Sequence, residues 1–193
     1  MRAALPIELP YMLRTATLEN LEVVVLDKDG TLLDFSTTWL PALREVAAFV
    51  AETAGDPALV VSLLATGGYM ESGASGGGPC VLPGSIMLEG TNDELAGAWI
   101  EQHPAVAKRW GSDPAGLAAA MKEVLHLASV RDAAPLTAGS KAGLEALRAA
   151  GVKLAVVTND EESLAIGQLE RLGWLTLFDK VSLLEEWPSN ASP

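Results

Sequence analysis

The sequence predicts an α/β protein, a parallel β-sheet layered between helices, with a helical segment inserted after the first strand. Three observations carry this. Leu21 to Leu26 (LEVVVL) is a short β-branched apolar run halted by Asp27-Lys28-Asp29-Gly30, the pattern of a buried parallel strand. Val152 to Val157 repeats the pattern and is halted by Thr158-Asn159-Asp160. Between these runs, from about 39 to 132, the signals are helical, and the stretch is far longer than an ordinary crossover.

Taken in order, residues 1–20 give no strong pattern and read as a tail or an added edge element. Pro41 to Thr53 reads as a helix, with Pro41 suited to its first turn. Leu43, Val46, Ala47 and Val50 recur at helical spacing, and Gly55 lies past the end. A second helix is expected over Pro57 to Thr66, stopped by Gly67-Gly68. Residues 71–85, rich in Gly, Ser and Pro, read as a loop. Thr91-Asn92-Asp93-Glu94 has capping-box spacing and starts a helix reaching about Gln102. Asp113-Pro114 opens another, reaching about Ala128. Residues 138–150 form an amphipathic helix closed by Gly151. The second strand follows, then a helix over 161–172 closed by Gly173, then a third strand over Lys180 to Leu184. Alternating strands and helices of this kind build a three-layer, Rossmann-like parallel sheet core. The expected organisation is a first core part at 1–38, a helical cap at 39–132, and a second core part at 133–193.

Composition narrows the function classes. The chain has 193 residues and is 49% hydrophobic, enough for one core or a core with a smaller insert. Its formal net charge of −12 excludes the Lys/Arg surplus that nucleic acid calls for and disfavours anionic membrane surfaces. A small phosphorylated metabolite stays compatible, because a metal and backbone N–H groups handle its charge locally. The apolar stretch at the N-terminus is broken by Pro6, Glu8 and Pro10, a poor signal peptide. Cys80, the single cysteine, fits a reduced, cytoplasmic setting. A homo-oligomer is left open.

The chemistry gathers at the strand ends, the edge where open parallel sheets bind ligands. Asp27 and Asp29 are two residues apart as the first strand finishes, so both side chains aim nearly the same way. Two close carboxylates need a counter-ion or a proton. A hard cation such as Mg²⁺ prefers oxygen ligands and bridges carboxylate to phosphate. One ionised carboxylate can attack phosphorus, while the other handles the proton of the leaving alkoxide. Gly30 permits a tight turn that presents N–H groups to phosphate oxygens. Thr158 and Asn159 add neutral donors, although the pair could instead cap the following helix. Asp160 reads as an N-cap. Lys28 reads as pointing away from the site, because its neighbours Asp27 and Asp29 claim the inward side. His103, His126 and the tryptophans Trp39, Trp99, Trp110 and Trp174 read as packing or surface residues. The run Gly73 to Gly78 lacks the Lys-Ser/Thr ending of a phosphate loop.

Leu26-Asp27-Lys28-Asp29-Gly30-Thr31-Leu32 resembles the first motif of the haloacid dehalogenase-like (HAD) hydrolase superfamily in its phosphatase form, Asp-x-Asp-Gly-Thr. Val156-Val157-Thr158-Asn159 resembles the second motif, and the helical stretch between them resembles that superfamily's cap. Asp34-Phe35, Trp39, Leu82-Pro83-Gly84-Ser85 and Gly90-Thr91-Asn92 are similar to phosphoglycolate phosphatase-like members. The resemblance spans roughly 20–182. It implies Asp27 as nucleophile and Asp29 as general acid/base. It implies Mg²⁺ held by Asp27 and the Asp29 backbone carbonyl, and phosphate held by Gly30, Thr31, Thr158 and Asn159. The aspartate at position 29 argues against haloacid dehalogenation. A sugar-phosphate mutase would share these two motifs.

The resemblance also implies a third motif with a Lys and a fourth with acidic metal ligands. In the expected place the chain reads Ser182 to Asn190, with Glu185-Glu186 the nearby acidic pair and no Lys or Arg after Lys180. The expectation is a phosphoglycolate phosphatase-like chain truncated near residue 181, its first strand lying at an open sheet edge. A truncated, non-catalytic product is then the rival to an active phosphatase.

Overall fold

The computed structural model of the chain describes residues 6–7, 16–17, 21–71 and 78–183. In chain order the elements are β1 (Pro6–Ile7), β2 (Ala16–Thr17), β3 (Val23–Asp27), α1 (Phe35–Thr53), α2 (Val60–Gly67), β4 (Tyr69–Met70), β5 (Cys80–Val81) and α3 (Ile86–Glu89). There follow α4 (Asn92–Gln102), α5 (Pro104–Trp110), α6 (Pro114–Arg131), α7 (Ser140–Ala149), β6 (Lys153–Thr158), α8 (Glu162–Arg171) and β7 (Lys180–Leu183). The chain divides into two compact units, Met1–Asp34 with Pro135–Pro193, and Phe35–Ala134.

The first unit is the α/β one. Its sheet has the order β3-β6-β7, with both pairings parallel. Asp27 stands opposite Val157, and Val157 opposite Ser182. Central β6 buries Leu154, Ala155 and Val156. Asp179 holds the neighbouring pieces together, its Oδ2 accepting from the Leu154 N–H at 2.9 Å and from Arg148 of α7 at 2.5 Å. The expectation of a fully buried first strand needs correction. Val23 is 49% and Val25 43% exposed. Among the described residues β3 has one strand neighbour, and the side chains of Val23, Val25 and Asp27, alternate positions on one face, are exposed. A separate pairing joins β1 to β2, antiparallel, with Pro6 opposite Thr17.

The second unit is helical. α1, α2, α4 and α6 pack around Leu43, Val46, Val50, Leu63, Trp99, Leu117 and Met121. The indole N–H of Trp99 donates to the Leu63 carbonyl at 2.8 Å, so its one polar atom is satisfied inside the core. α4 begins with the capping box. Thr91 Oγ1 accepts from the Glu94 N–H, and Glu94 Oε2 accepts from the Thr91 N–H. α1 starts before the expected Pro41, which lies inside the helix. The buried face continues upstream through Thr38, Trp39 and Leu40, and the Thr38 hydroxyl accepts from the Ala134 N–H. The segment read as strand-free contains the two-residue strands β4 and β5, paired antiparallel. They are too short to give an alternation signal. Part of the Gly-rich run, residues 72–77, lies outside the described residues. Among the described residues no helix is long and apolar enough to cross a membrane.

Candidate active site

The parallel pairing of β3 with β6 brings Asp27 and Thr158 to the same sheet edge, each as the last residue of its strand. The chain then closes a tight loop after β3. The Lys28 carbonyl accepts from the N–H groups of Leu32 and Leu33, both at 2.9 Å, and the Leu32 carbonyl takes the N–H of Leu136. Gly30 makes this loop possible with φ of +78°, a conformation that a side chain would strain. Leu32 and Leu33 are buried and anchor it.

One expected role of Gly30 is corrected by this geometry. Its own N–H donates to the Leu33 carbonyl at 2.8 Å and is spent closing the loop, so it is not held out to a phosphate. Thr31 and Asn159, by contrast, are exposed at the loop ends. Thr158 is buried, and its Oγ1 accepts from the Asp160 N–H at 3.2 Å, which is turn capping of the kind weighed against phosphate binding. A serine or threonine hydroxyl that accepts one bond still has its own O–H to donate. Asp27 is exposed, at the mouth of the site.

The larger correction concerns Lys28 and Asp160. The Lys28 side chain is completely buried, and its Nζ reaches three acceptors. These are Asp29 Oδ2 at 2.5 Å, Asp160 Oδ2 at 2.6 Å and Gln168 Oε1 at 2.7 Å. It therefore ties the loop after β3 to the loop after β6 and to α8. The alternation argument ignored the length of the lysine. Four methylenes let the ammonium turn back to the neighbouring carboxylate. A buried ammonium with no counter-charge would be prohibitively costly, and here two carboxyl groups meet it.

Asp160 is not the N-cap of α8. That position belongs to Glu161, whose side chain makes no capping bond. The Asp160 carboxyl is pushed up to about 6, first by burial. Lys28 opposes the rise and Asp29 adds to it. Asp160 Oδ2 receives no well-aligned hydrogen bond, so its charge is compensated through the ion pair.

Gln168 was missed by sequence reasoning, although a signal existed. Leu164, Ala165, Gln168 and Leu169 are the buried positions of α8, so a polar residue stands in an apolar stripe. Such a residue needs a buried polar partner. Its Oε1 meets Lys28, while Nε2 is left without a partner, as follows when the partner can only donate.

For a metal, Asp27 offers an exposed carboxylate and Asp29 a backbone carbonyl, the hard oxygen donors that Mg²⁺ takes. Mg²⁺ usually keeps several waters beside one or two carboxylates, so this donor set suits it. Among the described residues no group of three or more His, Cys, Asp or Glu converges. The pair Glu185-Glu186 lies outside the described residues.

Solved structures share this fold. A predicted phosphoglycolate phosphatase from Haemophilus somnus 129pt is 18% identical, with a TM-score of 0.55 over 89% of this chain and 66% of that one. The HAD-hydrolase YfnB from Bacillus subtilis, bound to magnesium, is 20% identical, with a TM-score of 0.52 over 86% and 65%. A HAD-superfamily hydrolase, subfamily IA, variant 1, from Geobacter sulfurreducens PCA is 16% identical, with a TM-score of 0.50 over 84% and 62%. The chain thus spans a little under two thirds of the length of these proteins. No curated protein sequence matches. The family model of the haloacid dehalogenase-like hydrolases matches residues 21–186, and this chain belongs to that family.

Proposed function

We propose that the chain is a Mg²⁺-dependent phosphatase that hydrolyses a small, phosphoglycolate-like phosphate monoester through an aspartyl-phosphate. The observation that carries this reading is the pair Asp27 and Asp29 at the end of a parallel strand, one exposed and the other gripped by a buried cation. A carboxylate Oδ of Asp27 attacks phosphorus, and the bond from phosphorus to the ester oxygen breaks. Asp29 gives its proton to the departing alkoxide. A water molecule then attacks the phosphoryl group, passes a proton to Asp29, and inorganic phosphate leaves with Asp27 restored. Thr31 and Asn159, exposed at the loop ends, supply neutral donors to the phosphoryl oxygens, joined by the Thr158 hydroxyl. Asp27 and the Asp29 carbonyl would hold Mg²⁺, which neutralises phosphate charge as the anionic ester meets an anionic nucleophile. The small phosphorylated metabolite is the partner, at a site that needs neither nucleic acid nor membrane.

The test is release of inorganic phosphate from a panel of small phosphomonoesters, with Mg²⁺ or with EDTA. The expected result is turnover that requires Mg²⁺ and is lost in Asp27→Asn, with unchanged unfolding behaviour for the variant. Phosphate transfer only in the presence of a sugar-phosphate acceptor would point to a mutase. Folded protein inactive on every ester would overturn the catalytic reading.

A further inference from the structure

The family's acid/base aspartate is held in this chain by a residue of its own motif. We infer that Lys28 is a positioning residue for Asp29, fixing its carboxylate for proton transfer to the leaving group. This rests on the phosphatase reading above.

Three features of the geometry support it. Lys28 has no exposed surface, so its ammonium cannot relax into solvent. Its ammonium donates to Asp29 and Gln168 and forms an ion pair with Asp160, at 2.5–2.7 Å. Two of these acceptors lie outside the first loop, Asp160 just past β6 and Gln168 on α8. The ammonium is therefore also held by elements outside the loop after β3. Holding Oδ2 of Asp29 from that point sets the plane of the carboxylate, and with it the direction of Oδ1. Asp27, two residues earlier, is exposed. A general acid works only within hydrogen-bond reach of the atom it protonates, so a carboxylate free to rotate loses part of its rate contribution.

A positioning role for the acid predicts a loss that depends on the leaving group. An alkyl phosphate needs its alkoxide protonated as the P–O bond breaks. A nitrophenyl phosphate does not, because nitrophenolate leaves unaided. kcat/KM reports only events up to formation of the aspartyl-phosphate, where this difference lies. The experiment uses the full chain with Mg²⁺ and compares glycolate-type alkyl phosphate with p-nitrophenyl phosphate. Wild type, Lys28→Met and the double variant Lys28→Met/Asp160→Asn are measured. The double variant removes the carboxylate that Lys28→Met would leave buried without a cation, so it keeps the test open where the single variant folds poorly.

The expected result is a rise of about 100-fold in the aryl-to-alkyl ratio of kcat/KM in both variants, the size of an ordinary general-acid contribution. Equal losses on both esters in folded variants would overturn the inference, because they would mean general damage to the site. So would a double variant with its alkyl phosphate turnover restored, since Lys28 would then serve only to neutralise Asp160. Failure of both variants to fold, read by circular dichroism, would make Lys28 a structural clasp and overturn it as well. A wild-type chain inactive on both esters would instead remove the phosphatase reading on which the inference stands.

Discussion

Replacing Asp160 by Asn changes how stability depends on pH, and the size of the change follows from the burial of that carboxyl. Its folded value is raised from 3.8 to about 6, chiefly by desolvation. The native state therefore binds the proton more tightly than the unfolded chain does. Stability from this group is fully present below the unfolded value near 4 and is lost as pH rises to about 6. Within that window the slope is about −1.4 kcal/mol per pH unit. A shift of about two units gives a total of about 3 kcal/mol. The side chain is 23% exposed, little enough to leave this as the right order of magnitude. Asp29 shares the same ammonium, so the decline spreads over the window and does not fall at one sharp midpoint. The assay is urea unfolding in EDTA at intervals between about pH 4 and pH 7, for wild type and Asp160→Asn. The many other carboxylates titrate in both proteins and cancel in the difference. The difference curve should fall by roughly 3 kcal/mol between pH 4 and 6 and be level above. A flat or rising difference would refute the claim that burial outweighs Lys28 at this carboxyl.

Two further predictions concern the helical unit. Trp99→Phe removes the indole N–H that serves the Leu63 carbonyl and leaves space in a fully buried position. It should cost about 2 kcal/mol in urea unfolding, and a loss below about 0.5 kcal/mol would contradict the packing described. Thr91→Ala removes the hydroxyl half of the α4 capping box, leaving the Thr91 N–H to Glu94, and should cost about 1 kcal/mol, with helical ellipticity reduced by fraying at that end; unchanged stability would mean the hydroxyl cap is redundant.

The fold was legible wherever a signal was local and repeated. Both long apolar runs stopped by polar residues became parallel neighbours, and the capping box at Thr91 and Glu94 formed as its spacing demanded. What escaped was set by tertiary context. Whether LEVVVL is buried on one face or two depends on what packs against each face of the sheet, which the run itself does not encode. The early start of α1 was hidden because Pro41 is a common first-turn residue. Here burial of Thr38, Trp39 and Leu40 outweighs the cost of a proline within the helix.

The site shows the same division one level down. Asp27 and Asp29 stand out because they lie within five consecutive residues. Lys28 lies within those same five residues and was still misjudged. Its role is defined by Asp160 and Gln168, which are more than 130 positions away and meet it only when β3 pairs with β6 and α8 packs behind. Alternation along a strand fixes where a Cβ points, but a lysine carries its charge four methylenes further, beyond the reach of that rule. The two facts that would have exposed it were both in the sequence. One was a glutamine in the buried stripe of α8, the other an aspartate just after the second strand. Each is an unexplained polar residue alone, and together they are the acceptors that a buried ammonium at position 28 requires.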